Sequence, residues 1–333
     1  MGVALREVLT EYKHPRTWET LAGTAAIDGN NALYQFLSII RQPDGTPLMN
    51  SEGRITSHLS GVFFRTLRFL EKGIRPVYIF DGKPPALKQE TIESRREVRR
   101  EAGVQWEAAL ARGDQEEAYK QARASSRVTP EIIATSKELL TLMGVPCVQA
   151  PSEGEAQAAS MAASGAVTYA VSQDYDSLLF GAPLLVRNLT VSSKRRVQGR
   201  TIAVQPESIR LDEVLGGLGI TREQLIEAGI LIGTDFNPGI RGVGPKTALK
   251  IVKKDGFADM IAEKLPDFDP SPILQFFRSP PVIANLSLDW QPPDQAGIED
   301  LLCGEYGFAT ERVRTALQKI SGPPGQKTLD RWF

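Results

Sequence analysis

The sequence predicts an α/β protein with a mostly parallel central sheet flanked by helices, and three observations carry that prediction. Apolar runs at 24–27 and 76–80 are separated by two segments of helical periodicity. Strands joined through helices pair in parallel by crossover connections. Each run also stops at an acid, Asp28 after the first and Asp81 after the second, and a third run at 166–171 is followed by Asp174 and Asp176. Ligands of such sheets bind beyond the carboxyl ends of the strands, where these acids would gather.

From the N-terminus, 24–27 reads as a buried strand closed by Asp28. Helical spacing takes over at once, with Leu33, Phe36, Leu37 and Ile40 on one face. A second helix spans 57–72, burying Leu59, Val62, Phe63, Leu67 and Leu70, and Gly73 stops it. The run 76–80 (PVYIF) is the next strand. Thr129 and Pro130 form a helix cap with proline at the first position. That helix ends at Gly144 and leads into a strand at 145–148, where Cys147 is a core thiol. Another strand covers 184–186, and 193–200 is a basic surface turn. Thr221 and Gln224 make a capping box for a helix that ends at Gly233, just before Asp235. Residues 266–296 read as proline-rich and irregular, and a last amphipathic helix covers 310–320.

The stretch 151–177 concentrates the chemistry. Glu153 and Glu155 open a small-residue helix, and Asp174 and Asp176 follow the strand after it. Carboxylates packed that closely repel unless protons or cations screen them, and hard oxygen donors favour magnesium or manganese. A structural alternative stands beside this: Ser152 and Glu155 fit the S-x-x-E capping box, and the two aspartates could be plain loop residues. Asp28 and Asp81, ending two further strands, weigh toward a divalent-metal site.

Between 83 and 127 the chain is highly charged with few apolar anchors, and 83–100 holds six basic residues against three acidic ones. Helices without a buried face order poorly alone. A plain solvated helical face is one reading of such a run; starting directly after Asp81, the segment also reads as a mobile cover that traps an anionic substrate over the acids. At 240–252 (IRGVGPKTALKIV), a G-x-G turn, a proline at a helix start and an amphipathic helix fit a helix-hairpin-helix. Its glycines Gly242 and Gly244 let backbone amides approach phosphate oxygens, and Lys246 and Lys250 add a basic flank. Such contacts hold a duplex backbone without reading bases. After a Gly/Pro-rich linker, the chain closes on QKTLDRWF, whose terminal aromatics suit docking into a partner's pocket.

Composition narrows the class. Of 333 residues, 41% are hydrophobic and 24% charged, as in ordinary globular proteins. The net charge of −1 leaves no global basic field, so affinity for nucleic acid must come from local patches offset by a local acidic cluster. Cys147 and Cys303 are the only cysteines, which gives no disulfide framework, and with His14 and His58 they form no zinc-finger pattern. The charged first twenty residues read as no signal peptide, and 156–173 is too polar for a membrane span. The expectation is a soluble intracellular protein without internal repeats.

With these residues assembled, the chain resembles the flap endonucleases of the XPG family, structure-specific nucleases of DNA replication and repair, in their archaeal form. The resemblance runs nearly end to end and is densest at AIDGNNALYQFL, TSHLSGVFFRT, RPVYIFDGKPPALK, LMGVP, APSEGEAQAA, QDYDSLLFG and IRGVGPK. It implies a helical arch over the site and seven metal-binding acids: Asp28, Asp81, Glu153, Glu155, Asp174, Asp176 and Asp235. It implies catalytic roles for Lys88 and Arg95 at the arch base, base stacking by Tyr34, and a DNA contact at Arg41. Gln326, Leu329, Trp332 and Phe333 match a sliding-clamp-binding box. The implied reaction is phosphodiester hydrolysis with two or more Mg²⁺ ions, Mn²⁺ able to substitute, removing 5′ flaps from branched DNA with accompanying 5′–3′ exonuclease activity. The implied form is a cytoplasmic, nucleoid-associated monomer without a membrane partner. The segments divide as a nuclease region at 1–100, the remainder of the arch at 101–128, a second nuclease region with the hairpin at 129–258, a helical part at 259–320, and a tail at 321–333. Gly29-Asn30-Asn31, Gln173 and Thr234 depart from the family's usual residues and bear on hydrogen bonding around the acids. An exonuclease-type or XPG-type nuclease, or a non-catalytic DNA scaffold that recruits the clamp, stays open as an alternative.

Overall fold

The computed structural model describes residues 2–191, 194–197 and 200–319. Strands β1 (His14–Pro15), β2 (Gly23–Asp28), β3 (Ile74–Phe80), β4 (Cys147–Gln149), β5 (Tyr169–Val171), β6 (Leu184–Arg187) and β9 (Glu207–Arg210) form one sheet, and β7 (Lys194–Val197) and β8 (Arg200–Ala203) a separate hairpin. Helices α1 (Gly29–Ile39) and α2 (Ser57–Glu71) cross from β2 to β3. Next come α3 (Gln89–Ala111), α4 (Gln115–Ala124) and α5 (Pro130–Leu142) before β4, α6 (Gly154–Ala163) before β5, and α7 (Asp176–Leu179) before β6. The C-terminal part adds α8 (Leu211–Leu218), α9 (Arg222–Ile232), α10 (Pro245–Val252), α11 (Phe257–Lys264), α12 (Ser271–Arg278), α13 (Gln295–Glu299) and α14 (Thr310–Gln318).

The sheet order is β1-β9-β6-β5-β2-β3-β4. Pairings from β4 through β6 are all parallel, and only β9 runs antiparallel to its neighbours β6 and β1. From central β2 the chain builds outward to β3 and β4 on one side, then returns to lay β5 and β6 on the other. The crevice beyond the carboxyl ends of β2 and β5 is therefore a topological switch point, where open α/β sheets place their ligands.

Helices cover both faces, which is why the strands read as unbroken apolar runs rather than alternating ones. Ala26, Val77, Ile79, Val148 and Ala170 point into one core, while Ala25, Ile27, Tyr78, Phe80, Tyr169 and Val171 point into the other. The first core is shared with α6, α9, α10 and α12, the second with α1, α2, α5 and α14. The expected caps at Thr129 and at Thr221 with Gln224 both form.

Four expectations need correction. The run 166–171 forms a strand only at Tyr169–Val171, because the chain is still turning out of α6 before it. No capping box forms at Ser152: the residue at the cap of α6 is Glu153, without a side-chain cap bond, and Glu155 bonds elsewhere. The stretch 266–296 is not wholly irregular, since α12 buries Ile273 and Phe277 within it. The charged segment 83–127 does possess a buried face: α3 and α4 pack as a helical pair along Ala102, Ala109, Ala118 and Ala122.

Candidate active site

Each acid at the sheet edge is held by the backbone that follows a strand. Asp28 ends β2 and caps α1, accepting a hydrogen bond from the Asn31 amide at 2.9 Å. Asp81 follows β3 and accepts from the Gly154 amide at 2.8 Å, which ties it to the start of α6. A β-carbon on Gly154 would stand 2.9 Å from the Asp81 Oδ1, so only glycine allows this approach. Glu153 and Glu155 flank Gly154 at the N-terminus of α6, where the helix dipole favours negative charge. Glu155 Oε1 accepts from Ser172 at 2.5 Å and from Ser177 at 3.2 Å. Asp235 lies just past α9, in a turn closed by Thr234 Oγ1 donating to Asn237 Oδ1 at 2.8 Å.

Asp174 lies in the loop from β5 into α7, and Asp176 is the first residue of α7. Arg187, at the end of β6, grips that loop from outside: two of its N–H groups donate to the Gln173 carbonyl at 3.1 and 2.8 Å, and a third nitrogen to the Tyr175 hydroxyl at 2.6 Å. The asparagines flagged in the sequence both reach the cluster. Asn30 Oδ1 accepts from the Asp81 amide at 3.3 Å, and Asn31 Nδ2 donates to Asp174 Oδ2 at 3.3 Å. Sequence reasoning missed the chain start altogether. The Val3 amide donates to Asp176 Oδ1 at 2.6 Å, and a β-carbon on Gly2 would come within 2.5 Å of that same oxygen.

Lys88 and Arg95 descend from the base of the helical pair onto these acids. Lys88 Nζ lies 2.5 Å from Glu153 Oε2 and 3.3 Å from Asp235 Oδ2, and Arg95 Nη2 lies 2.5 Å from Asp235 Oδ1. Two cations do not neutralise seven acids. Burial, then the Asp81 charge, pushes Asp28 up to about 8, and burial, then Asp235, pushes Asp176 up to about 7. Burial, then Asp176 and Asp174, holds Glu155 well above the carboxylate range. Asp81 is raised chiefly by burial, and at Glu153 burial outweighs the pairing with Lys88. Only Asp235 goes the other way: burial would raise it, but Lys88 and Arg95 hold it below the usual range. Among the described residues no three of these acids close on a point that would hold a metal ion as they stand; serine hydroxyls, backbone amides and the two arch cations engage them instead.

Tyr34 is half-buried on α1 with the Arg99 guanidinium 5.9 Å from its ring. Arg41 is engaged within the protein, donating to the Leu37 and Gly45 carbonyls at 2.7 and 2.6 Å and to Ser126 at 2.8 Å. It therefore joins the end of α1 to the far foot of the arch. In the hairpin, Gly242 takes φ +85°, a left-handed conformation that side chains disfavour. Gly244 caps α10 ahead of Pro245, and nothing lies within 4 Å of a β-carbon built on either glycine, so their backbone is open to a ligand. Lys246 pairs with Glu7 at 2.7 Å on the exposed surface, and Lys250 sits in the last turn of α10. Gln326, Leu329, Trp332 and Phe333 lie outside the described residues.

Residues 1–102 match the XPG N-terminal domain and 144–235 the XPG I-region. Flap endonuclease 1 of Methanoculleus marisnigri is 65% identical over 333 residues, covering all of both chains. That of Pyrococcus furiosus is 52% identical over 344 residues, covering 100% of this chain and 99% of the relative. Among solved structures, flap endonuclease-1 from Methanococcus jannaschii superposes with a TM-score of 0.74 at 42% identity, covering 92% of this chain and 95% of that one. The catalytic core of Rad2 shares the fold, with a TM-score of 0.71 at 23% identity over 96% of this chain and 100% of the other. The chain belongs to the XPG family and, within it, to the flap endonucleases.

Proposed function

We propose that the seven acids hold divalent cations, that Lys88 and Arg95 act on the scissile phosphate, and that the hairpin grips duplex DNA, together performing the flap-nuclease activity of this family. The chain is a structure-specific nuclease of DNA phosphodiester bonds, and nucleases of this family generally depend on divalent metal. The observation that supports the division of roles is the charge balance at the switch point. Seven carboxylates stand there against the two cations Lys88 and Arg95, and at Asp28, Glu155 and Asp176 the neighbouring acids add to burial in favouring the protonated form.

A donor set made wholly of carboxylates fits Mg²⁺, with Mn²⁺ as a substitute. Asp28, Asp81, Glu153, Glu155, Asp174, Asp176 and Asp235 would hold two or more such ions. Bound divalent cations supply Lewis acidity and charge neutralisation for in-line displacement at phosphorus. The chain's own groups do the rest. Lys88 and Arg95 reach a phosphate by leaving Glu153 and Asp235, whose countercharge then comes from solution, and stabilise charge developing on the phosphate oxygens. Tyr34 stacks on the unpaired terminal base. Open amides around Gly242 and Gly244 at the start of α10, with Lys246 and Lys250, hold the duplex backbone. Arg41 contacts the DNA beside Tyr34, held in place by its bonds to Leu37, Gly45 and Ser126.

The same reading carries the finer features: a 5′ single strand passing under the arch, with cleavage at its base and 5′–3′ exonuclease action on the duplex. Gln326, Leu329, Trp332 and Phe333 bind a sliding clamp, and the protein works as a monomer at the cytoplasmic nucleoid. Among the described residues no helix is long and apolar enough to cross a membrane. The nuclease regions 1–100 and 129–258, the arch between them, the helical part 259–320 and the tail 321–333 are the working segments. Cleavage of a 5′-flap duplex, a blunt duplex and single-stranded DNA, each in Mg²⁺ and in EDTA, tests the proposal. The flap should be cut at its base only in Mg²⁺; cutting in EDTA, or equal cutting of all three substrates, overturns it.

A further inference from the structure

Two buried serines converge on one oxygen of one acid. Ser172 directly follows the last residue of β5, and Ser177 lies in the first turn of α7. They are 4% and 0% exposed, and both donate to Glu155 Oε1, at 2.5 and 3.2 Å. A serine hydroxyl has one hydrogen to give and lone pairs to receive, and Ser172 uses both capacities. While its proton goes to Glu155, its oxygen accepts the Asp174 amide at 3.1 Å. One side chain thus links the N-terminus of α6 to the loop that bears Asp174 and leads into α7 at Asp176.

We propose that Ser172, backed by Ser177, is a positioning residue that locks the Glu155 carboxylate through Oε1 so that Oε2 is the oxygen presented to a divalent cation. The inference rests on the reading of Glu155 as a metal ligand. The physical reason is the length of the glutamate side chain. Its carboxylate can rotate and swing among several rotamers, and in a cluster of like charges it swings away from its neighbours. Two hydroxyls on the same oxygen remove that freedom and fix the plane of the group. Hydrogen bonds of this kind around a ligand characteristically alter metal affinity by roughly tenfold to a hundredfold when deleted.

The test reads cation binding without turnover: metal-stripped protein is titrated with Mn²⁺ and free Mn²⁺ is followed by its electron paramagnetic resonance signal. Ser172→Ala should weaken Mn²⁺ binding by roughly tenfold or more, and Ser177→Ala, deleting the longer bond, severalfold. Ser136→Ala is the control, since Ser136 is also buried and donates to the Ile132 carbonyl at 2.6 Å within α5, outside the acid cluster. It should lose comparable thermal stability yet bind Mn²⁺ as the parent does. Wild-type Mn²⁺ affinity in Ser172→Ala, while Glu155→Gln binds weakly, overturns this inference and leaves the site reading standing. Wild-type affinity in Glu155→Gln overturns both. If Ser172→Ala does not fold, Ser177→Ala decides on the same criterion.

Discussion

Replacing Lys88 with methionine removes the ammonium that bridges Glu153 and Asp235 while keeping most of the side-chain volume. The lysine side chain is 15% exposed and its two partners 12% and 13%, so the pairs are largely withdrawn from water. Removing one member of such a pair leaves an uncompensated charge and typically costs about 3–5 kcal/mol. Arg95 still pairs with Asp235, and Glu153, already raised by burial, can take up a proton. Both responses place the loss at the lower end, about 3 kcal/mol. At roughly 2 °C per kcal/mol for a chain of this size, the melting temperature should fall by about 6 °C in EDTA. Saturating Mg²⁺ should recover most of that, because the acids then receive their countercharge from solution. Cleavage at saturating Mg²⁺ should nevertheless drop by about 10²–10³, as expected for loss of a preorganised cation at the reacting phosphate. Thermal unfolding followed by circular dichroism, with and without Mg²⁺, measures the first two effects. An unchanged melting temperature in EDTA, or the same loss in both conditions, refutes the reasoning.

Three further outcomes follow from particular residues. Asp28 and Asp176, raised to about 8 and about 7 by burial and then by neighbouring acids, keep protons in the folded chain that the unfolded chain releases near pH 4. Folded protein thus binds more protons between these limits, so metal-free stability contributed by this cluster falls as pH rises from about 4 to about 8, and Mg²⁺, which needs the deprotonated forms, offsets the fall. Urea midpoints in EDTA at pH 5 and pH 8 check the sign, and a midpoint unaffected by Asp28→Asn at either pH contradicts it. Gly242→Val forces a branched side chain to φ +85°, costing about 1–3 kcal/mol; it should weaken binding of flap duplex while leaving binding of single-stranded DNA unchanged, as measured by fluorescence anisotropy. Trp332→Ala with Phe333→Ala should retain intrinsic cleavage but lose stimulation by a sliding clamp, and undiminished stimulation removes the tail from that role.

Much of this arrangement was legible because it is written in features that sequence displays directly. Strands buried on both faces leave apolar runs, and acids at their ends mark the sheet edge; Asp28 and Asp81 were placed on that basis and do close β2 and β3. The hairpin was readable from Gly242, Gly244 and Pro245, residues whose backbone constraints are chemical properties of the residue itself. What stayed hidden depends on direction or on distant contacts. Ser152 and Glu155 had the spacing of a capping box, yet Glu155 turns toward Ser172 and Ser177, and spacing does not encode where a side chain points. The seam of α3 and α4 is built from alanines, which weigh little in an apolar pattern but allow helices to approach closely. The Val3 amide meets Asp176 across 173 residues of sequence, a contact no local pattern announces. The bonds of Arg41 to the Leu37 and Gly45 carbonyls are likewise a matter of how the chain turns after α1, which its sequence spacing does not display.

The claim on which the account turns is that carboxylates from separate segments jointly hold the cations that hydrolysis requires. Asp174→Ala tests it most directly, since Asp174 links the β5 loop to Asn31 of α1 and lies against Glu155 and Asp28 electrostatically. Flap cleavage in Mg²⁺ and flap-DNA binding in Ca²⁺ are measured on the same preparation. The account predicts that cleavage is abolished while binding stays close to that of the parent. Full cleavage by the variant contradicts it.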